Sequence, residues 1–304
     1  MEWGIYTPLH MDKLSLKTHV AKLLSERLVS SRKRLLSPAD LKEIFAEIRT
    51  EWSRPRSFNL DKFRELALET NTLQVVHLTS SYPLHTTRFH SGDFTPYELA
   101  LSLRPRSYLS HGTAAFLQGL TDNQPEFVYV NQEQSPKDQS GSLTQAGLTR
   151  AFSGKQRQSR FIVTHNKTRI MLLSGKDTDR LGVTEIIGTQ GETLELTNLE
   201  RTLIDITVRP GYAGGTENVL HSYGRALEKM SVGRITKMIE ELDYMYPYHQ
   251  AIGFYLQRAG LDLKSLSSLR KLELKYDLFL AHGMKKTKFD SEWHIYYPAD
   301  LPQI

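Results

Sequence analysis

The sequence predicts an α+β protein: an N-terminal winged helix-turn-helix followed by a larger mixed α+β domain with a helical C-terminal half. Three observations carry this. Three helical patterns before residue 71 are followed at once by a strand–turn–strand pattern; strand-like segments recur between residues 127 and 196; and apolar spacing turns helical after residue 196. At 304 residues the chain has the length of about two domains of roughly 150 residues each. The boundaries fall at 1–93 for the arm and winged helix, 94–107 for a connecting segment and 108–304 for the second domain.

The first helix begins near Ser15, with Leu16, Val20, Leu23, Leu24 and Leu28 on one stripe and bases opposite. The second opens at Ser37 as cap, Pro38 in the first turn and Asp40 at the third position, where a carboxylate meets the positive helix end. Leu41, Ile44, Phe45, Ile48 and Trp52 continue it. Pro55 ends it, because proline cannot extend the hydrogen-bond ladder. A third helix starts at Asn59 with Leu60, Phe63, Leu66 and Ala67 inward. The hairpin follows as strands Leu73–Leu78 and His85–His90, joined by a turn at Ser80–Pro83 and closed by Gly92. Phe94–Leu103 reads as a short helix. Beyond it Ser110 caps a helix through Leu120, Phe127–Val130 is a buried strand, and 131–142 is a polar loop. Strands are predicted at 160–163, 169–173, 193–196 and 293–297.

Composition narrows function by exclusion. Hydrophobic residues make up 39% and charged residues 24%, the usage of an ordinary globular protein. The absence of cysteine removes disulfides, thiolate metal sites and cysteine nucleophiles, and fits a cytoplasmic protein. No apolar run approaches ~18 residues, so no membrane association is expected. Dinucleotide fingerprints, Walker loops, zinc-protease helices and nucleophile elbows are missing, so neither an enzyme nor a cofactor is predicted. His85 and His90 have only Asp93 nearby, too few ligands for a metal. Ser110-His111 reads as a helix cap rather than a serine and its base. Thr197 and Glu200 read as a capping box, and Arg201 and Asp205, four apart, as an ion pair.

The net charge of +5 is unevenly distributed. Residues 1–37 hold seven bases against three acids, 264–288 seven against two, and 153–169 hold Lys155, Arg157, Arg160, Lys167 and Arg169 with no acid. In a winged helix the third helix enters the major groove. This assigns DNA contacts to Arg54 and Arg56 in the preceding turn, to Asn59, Lys62 and Arg64 on the third helix, and to Arg88 on the wing. The 153–169 cluster forms a basic surface on the second domain. Asp61, Glu65 and Glu69 leave the turn and wing to supply much of the affinity.

Taken together, the winged helix, the run Tyr108-Leu109-Ser110-His111-Gly112-Thr113-Ala114-Ala115-Phe116-Leu117-Gln118-Gly119-Leu120, the run Thr197-Asn198-Leu199-Glu200-Arg201-Thr202-Leu203-Ile204-Asp205 and the later Arg209-Pro210 and Gly214-Gly215 resemble the AbiEi-type antitoxins of bacterial abortive-infection systems. The segment Tyr246–Leu256 resembles the family's penultimate helix, so the likeness spans about residues 38–260. It implies two tasks: repression of the protein's own operon by binding operator DNA, and neutralisation of a nucleotidyltransferase-like toxin without a required stable complex. It supplies no catalytic residue. The alternative for the same module is a defence-system protein whose winged helix and basic surfaces dock a protein or RNA partner. A nuclease built on Glu195, Glu200 and Asp205 is the third, weaker reading.

Overall fold

The computed structural model describes residues 13–31, 33–51, 58–83, 87–136 and 141–304. The N-terminal part is built from α1 (Lys13–Ser31), β1 (Leu35–Leu36), α2 (Pro38–Glu51), α3 (Leu60–Glu69), β2 (Gln74–Val76), β3 (Thr79–Ser80) and β4 (Arg88–His90). The predicted stripe on α1 does face inward: Val20, Leu24 and Leu28 are buried against Leu41, Ile44, Phe45 and Ile48 of α2 and Phe63, Leu66 and Ala67 of α3. Start signals act as local chemistry requires. Ser37 Oγ accepts from the Asp40 amide at 3.1 Å while Asp40 accepts from the Ser37 amide at 2.7 Å. Asn59 accepts from the Lys62 amide at 3.0 Å. Burial alone would raise the Asp40 pKa, but hydrogen bonds from Lys33 and Ser37 hold it below the usual carboxylate range.

Next come α4 (Pro96–Ser102), β5 (Tyr108–Leu109), α5 (His111–Leu117), β6 (Val128–Glu133), α6 (Gln145–Ser153), β7 (Ile162–His165), β8 (Thr168–Gly175), β9 (Val183–Ile187) and β10 (Thr193–Thr197). The helical half holds α7 (Leu199–Val208), a 3-10 turn at Pro210–Tyr212, α8 (Thr216–Ala226), α9 (Val232–Leu242), α10 (Tyr248–Arg258) and α11 (Ser267–Arg270). Strands β11 (Leu278–Phe279), β12 (Thr287–Asp290) and β13 (Ile295–Pro298) close the chain. Among the described residues the strands form three sheets, ordered β1-β4-β2, β3-β7-β8-β6-β5-β10-β9 and β11-β13-β12. The central one is mixed: β6–β8 and β5–β10 are parallel and its other pairs antiparallel. The chain is therefore α+β, with helices gathered after the sheet as the pattern predicts. None of its described helices is long and apolar enough to cross a membrane.

Two expectations are corrected here. The hairpin is not free. After β2 the chain crosses to the central sheet, where β3 pairs antiparallel with β7, Thr79 opposite Thr164 and Ser80 opposite Val163. Ser81 Oγ donates to the Arg160 carbonyl at 3.0 Å, and Tyr82 meets Phe161 edge to face. Arg88, expected on an exposed wing, is 6% exposed. β4 is the central strand of its sheet, and the carboxyl end of α4 covers it, so Arg88 Nε donates to the Ser102 carbonyl at 2.8 Å and Nη1 to that of Thr87 at 2.9 Å. A guanidinium spent this way reaches no phosphate.

The connecting segment 94–107 is packed on both sides. Thr95 and Glu98 form a capping box at the start of α4. Leu99, Ala100 and Leu103 then share one core with Leu35 and Val76 from the first part and Leu109, Val130 and Leu172 from the central sheet. One core thus runs across the 94–107 boundary.

Candidate functional site

Of the residues assigned to DNA, three come together. Asn59, Lys62 and Arg64 line a shallow depression on the outer side of α3 with Asp61, Glu65 and Leu68. Lys62 is exposed, and Arg64 pairs with Asp61 at 2.9 Å while staying 46% exposed at its side chain. A surface pair of this kind contributes little, so a phosphate can compete for Arg64. Arg54 and Arg56 lie outside the described residues, and Arg88 is buried elsewhere.

The basic stretch at 153–169 divides. Lys155, Arg157 and Arg160 lie on the irregular segment between α6 and β7, and all three line a cleft of about 2250 Å³. Lys167 is exposed in the β7–β8 turn. Arg169, on β8, bonds Glu126 and lies 4.1 Å over the Phe127 ring. The cleft is completed by residues the sequence reading did not single out as a site: Lys176, Arg209, Tyr212 and the run Tyr244-Met245-Tyr246. That aromatic run before Pro247 was the available signal.

Arg201 and Asp205 stand in the floor of the cleft, 5% and 7% exposed at their side chains. Arg201 Nε donates to Asp205 Oδ1 at 2.8 Å, and Nη1 donates to the Leu181 carbonyl at 2.7 Å. Burial would lower the Arg201 pKa, but the Asp205 carboxylate, acting with Tyr244 and Tyr108, raises it. The rest of the motif is equally structural. Glu200 accepts from the Ser231 amide at 3.1 Å and from Arg234 Nε at 2.8 Å, which fixes the start of α9. Thr202 Oγ1 accepts from Gln118, which ends α5, at 2.8 Å. The predicted capping box is corrected by one residue: Asn198, not Thr197, caps α7, accepting from the Arg201 amide at 2.9 Å. Thr197 is fully buried with its hydroxyl on Thr202, and the Glu200 carboxylate is taken by α9. With Glu200 and Asp205 each bonded to an arginine, neither is poised as a nuclease carboxylate. No group of three or more metal-ligating side chains occurs among the described residues.

Ser110 departs from its expected role too. It occupies the cap position of α5, yet its side chain makes no capping bond. His111 instead adopts φ +51°, uncommon for a residue with a side chain, and its Nδ1 lies 2.9 Å from Ser110 Oγ. The imidazole lines the cleft and meets Tyr212 edge to face at 5.3 Å. Burial pushes its pKa down to about 4.

No family model matches the chain, and a search of curated proteins finds no match. A search of solved structures finds a likeness of fold. The RV2827C protein from Mycobacterium tuberculosis superposes with a TM-score of 0.56 at 14% identity, over 92% of this chain and 91% of that one. The shared path runs through both the helical N-terminal part and the cleft-bearing remainder.

The neutral His111 has a consequence for stability. Its folded pKa lies below the unfolded value near 6.5, so the unfolded chain binds the extra proton between the two. Stability is present above pH 6.5 and lost as pH falls toward 4, on the order of 3 kcal/mol for this group. Urea titrations between pH 7 and 4 should show that loss shrinking in His111→Gln. An equally steep fall in the variant contradicts the assignment.

Proposed function

We propose that this chain is an antitoxin of the AbiEi type: its N-terminal part, read as a winged helix, binds operator DNA to repress its own operon, and its second part counteracts a nucleotidyltransferase-like toxin. The observation that carries the DNA half is the outer side of α3, where Lys62 and Arg64 stand exposed beside the Asn59 cap on a module of three helices and a three-stranded sheet. The antitoxin half rests on the motif resemblance.

The deciding measurement is salt-dependent binding to the duplex upstream of the gene, compared with random duplex. Each lost phosphate contact flattens the salt slope by about 0.9. Lys62→Ala with Arg64→Ala should therefore weaken operator binding at least tenfold and flatten the slope by roughly 2. Equal affinity for random and upstream duplex, or an unaltered slope, would rule out operator recognition by α3. For neutralisation, co-expression with the neighbouring gene product should restore growth.

A second reading is favoured by one finding: β3, within the β2–β4 connection, is fastened to β7 and Arg88 is buried, so no free wing is present among the described residues there. On that reading α3 docks a protein or RNA partner. Stable copurification of such a partner without selective duplex binding would favour it.

A further inference from the structure

The cleft combines two features that need a ligand to explain them together. Lys155, Arg157 and Arg160 are exposed along one edge, with no carboxylate partner among the described residues. Phe161, 45% exposed, follows directly in the lining, and the half-buried Tyr244 and Tyr246 line it as well. Cations that track a backbone beside aromatic rings that take bases are how proteins hold unpaired strands. We infer that this cleft binds a short single strand of nucleic acid. The inference does not depend on the operator reading, which concerns α3.

Size and charge select this ligand over others. At about 2250 Å³ the cleft exceeds the ~300–1,000 Å³ of ordinary small-molecule sites, so one nucleotide leaves most of it unfilled. A duplex keeps its bases stacked on one another and offers no free face to Phe161. The acids in the lining do not cancel the positive edge: Asp205 is neutralised by Arg201, leaving Asp177 and Asp243 against Lys155, Arg157, Arg160, Lys176 and Arg209. Lys176 and Arg209 are fixed inward, Lys176 Nζ on the carbonyls of Leu242 and Asp243 at 2.8 and 2.7 Å and Arg209 Nη1 on that of Arg157 at 3.2 Å. The three outer cations are the ones free to meet phosphates.

The test uses the full chain and fluorescent 12-nucleotide oligo(U) and oligo(dT), read by anisotropy at several salt concentrations. Both should bind, tighter for oligo(U) if the 2′-hydroxyl is read and equally if only phosphates and bases are. Lys155→Ala/Arg157→Ala/Arg160→Ala should lower affinity at least tenfold and flatten the salt slope by about 2, at ~0.7 per contact on a single strand. Phe161→Ala should lower affinity about fivefold or more with the slope unchanged. Both variants change exposed side chains, and unaltered thermal melting shows that they fold. The Lys62→Ala/Arg64→Ala protein should keep single-strand binding, separating this outcome from failure of the operator proposal. Three results each overturn the inference: no binding of either oligomer at low salt, full binding by the triple variant, or displacement of the oligomer by UMP at equal concentration.

Discussion

Arg201→Met should lower unfolding free energy by about 3–5 kcal/mol, the range for removing one partner of a buried ion pair. The methionine keeps an unbranched stem of similar length, so lost packing contributes little. What remains is the Asp205 carboxylate, 7% exposed at its side chain and without its 2.8 Å partner. The same change frees the Leu181 carbonyl and a bond to Thr178, whose amide donates to Glu133 at 3.2 Å. Glu133 in turn accepts from Tyr108 at 3.0 Å, so damage passes from α7 through the 176–182 loop to β6 and β5. At roughly 2–4 °C per kcal/mol for a chain of this size, melting should fall by about 6–20 °C. Arg201→Met with Asp205→Leu should recover most of this, because it removes the stranded charge. If the double variant is as unstable as the single, the pair itself is not what holds the floor of the cleft.

That floor shows how far the sequence could be read. The i, i+4 spacing of Arg201 and Asp205 makes them a pair on any helix, but only the packing of α7 against α5 and α8–α10 makes the pair buried. The cap of α7 was misplaced by one residue because Thr197 and Asn198 are both good caps. Gln118, which ends α5, donates to Thr202 and to the Thr197 carbonyl, and the Thr197 hydroxyl is taken by Thr202, so the cap falls to Asn198. Starts such as Ser37–Asp40 and Asn59 were legible because every atom involved lies within three residues. Arg88 was not. Strand alternation tells which residues share a side but not that α4 will cover that side. Ser110 and His111 were adjacent in plain view, yet their contact depends on a positive φ at His111 that no residue type demands. The cleft was half visible: local charge marked Lys155, Arg157 and Arg160, whereas Tyr244 and Tyr246 arrive from beyond α9.

Gly253→Ala should destabilise the chain by about 3 kcal/mol, at the upper end for overpacking. Gly253 lies in mid-α10, where a β-carbon would be driven into the six-membered ring of Trp293. Relief requires the indole or the helix to move, and both are held. Trp293 is fully buried; its Nε1 donates to Gln257 Oε1 at 2.6 Å, its amide to Asp290 at 2.9 Å, and its carbonyl accepts from Gln250 at 2.8 Å. Gln257 and Gln250 belong to α10 itself, so the helix and the indole are clamped to one another on either side of the glycine. Glycine is a poor helix former, and at an unobstructed site alanine would stabilise by up to about 1 kcal/mol. A destabilisation therefore reports the ring contact alone. Trp293→Phe, itself destabilising through the cavity it opens, should cost less in the Gly253→Ala background than in the parent, because the smaller ring admits the methyl. Thermal melts of the four proteins measure that coupling. Strict additivity would mean that α10 and the 290–295 segment separate freely.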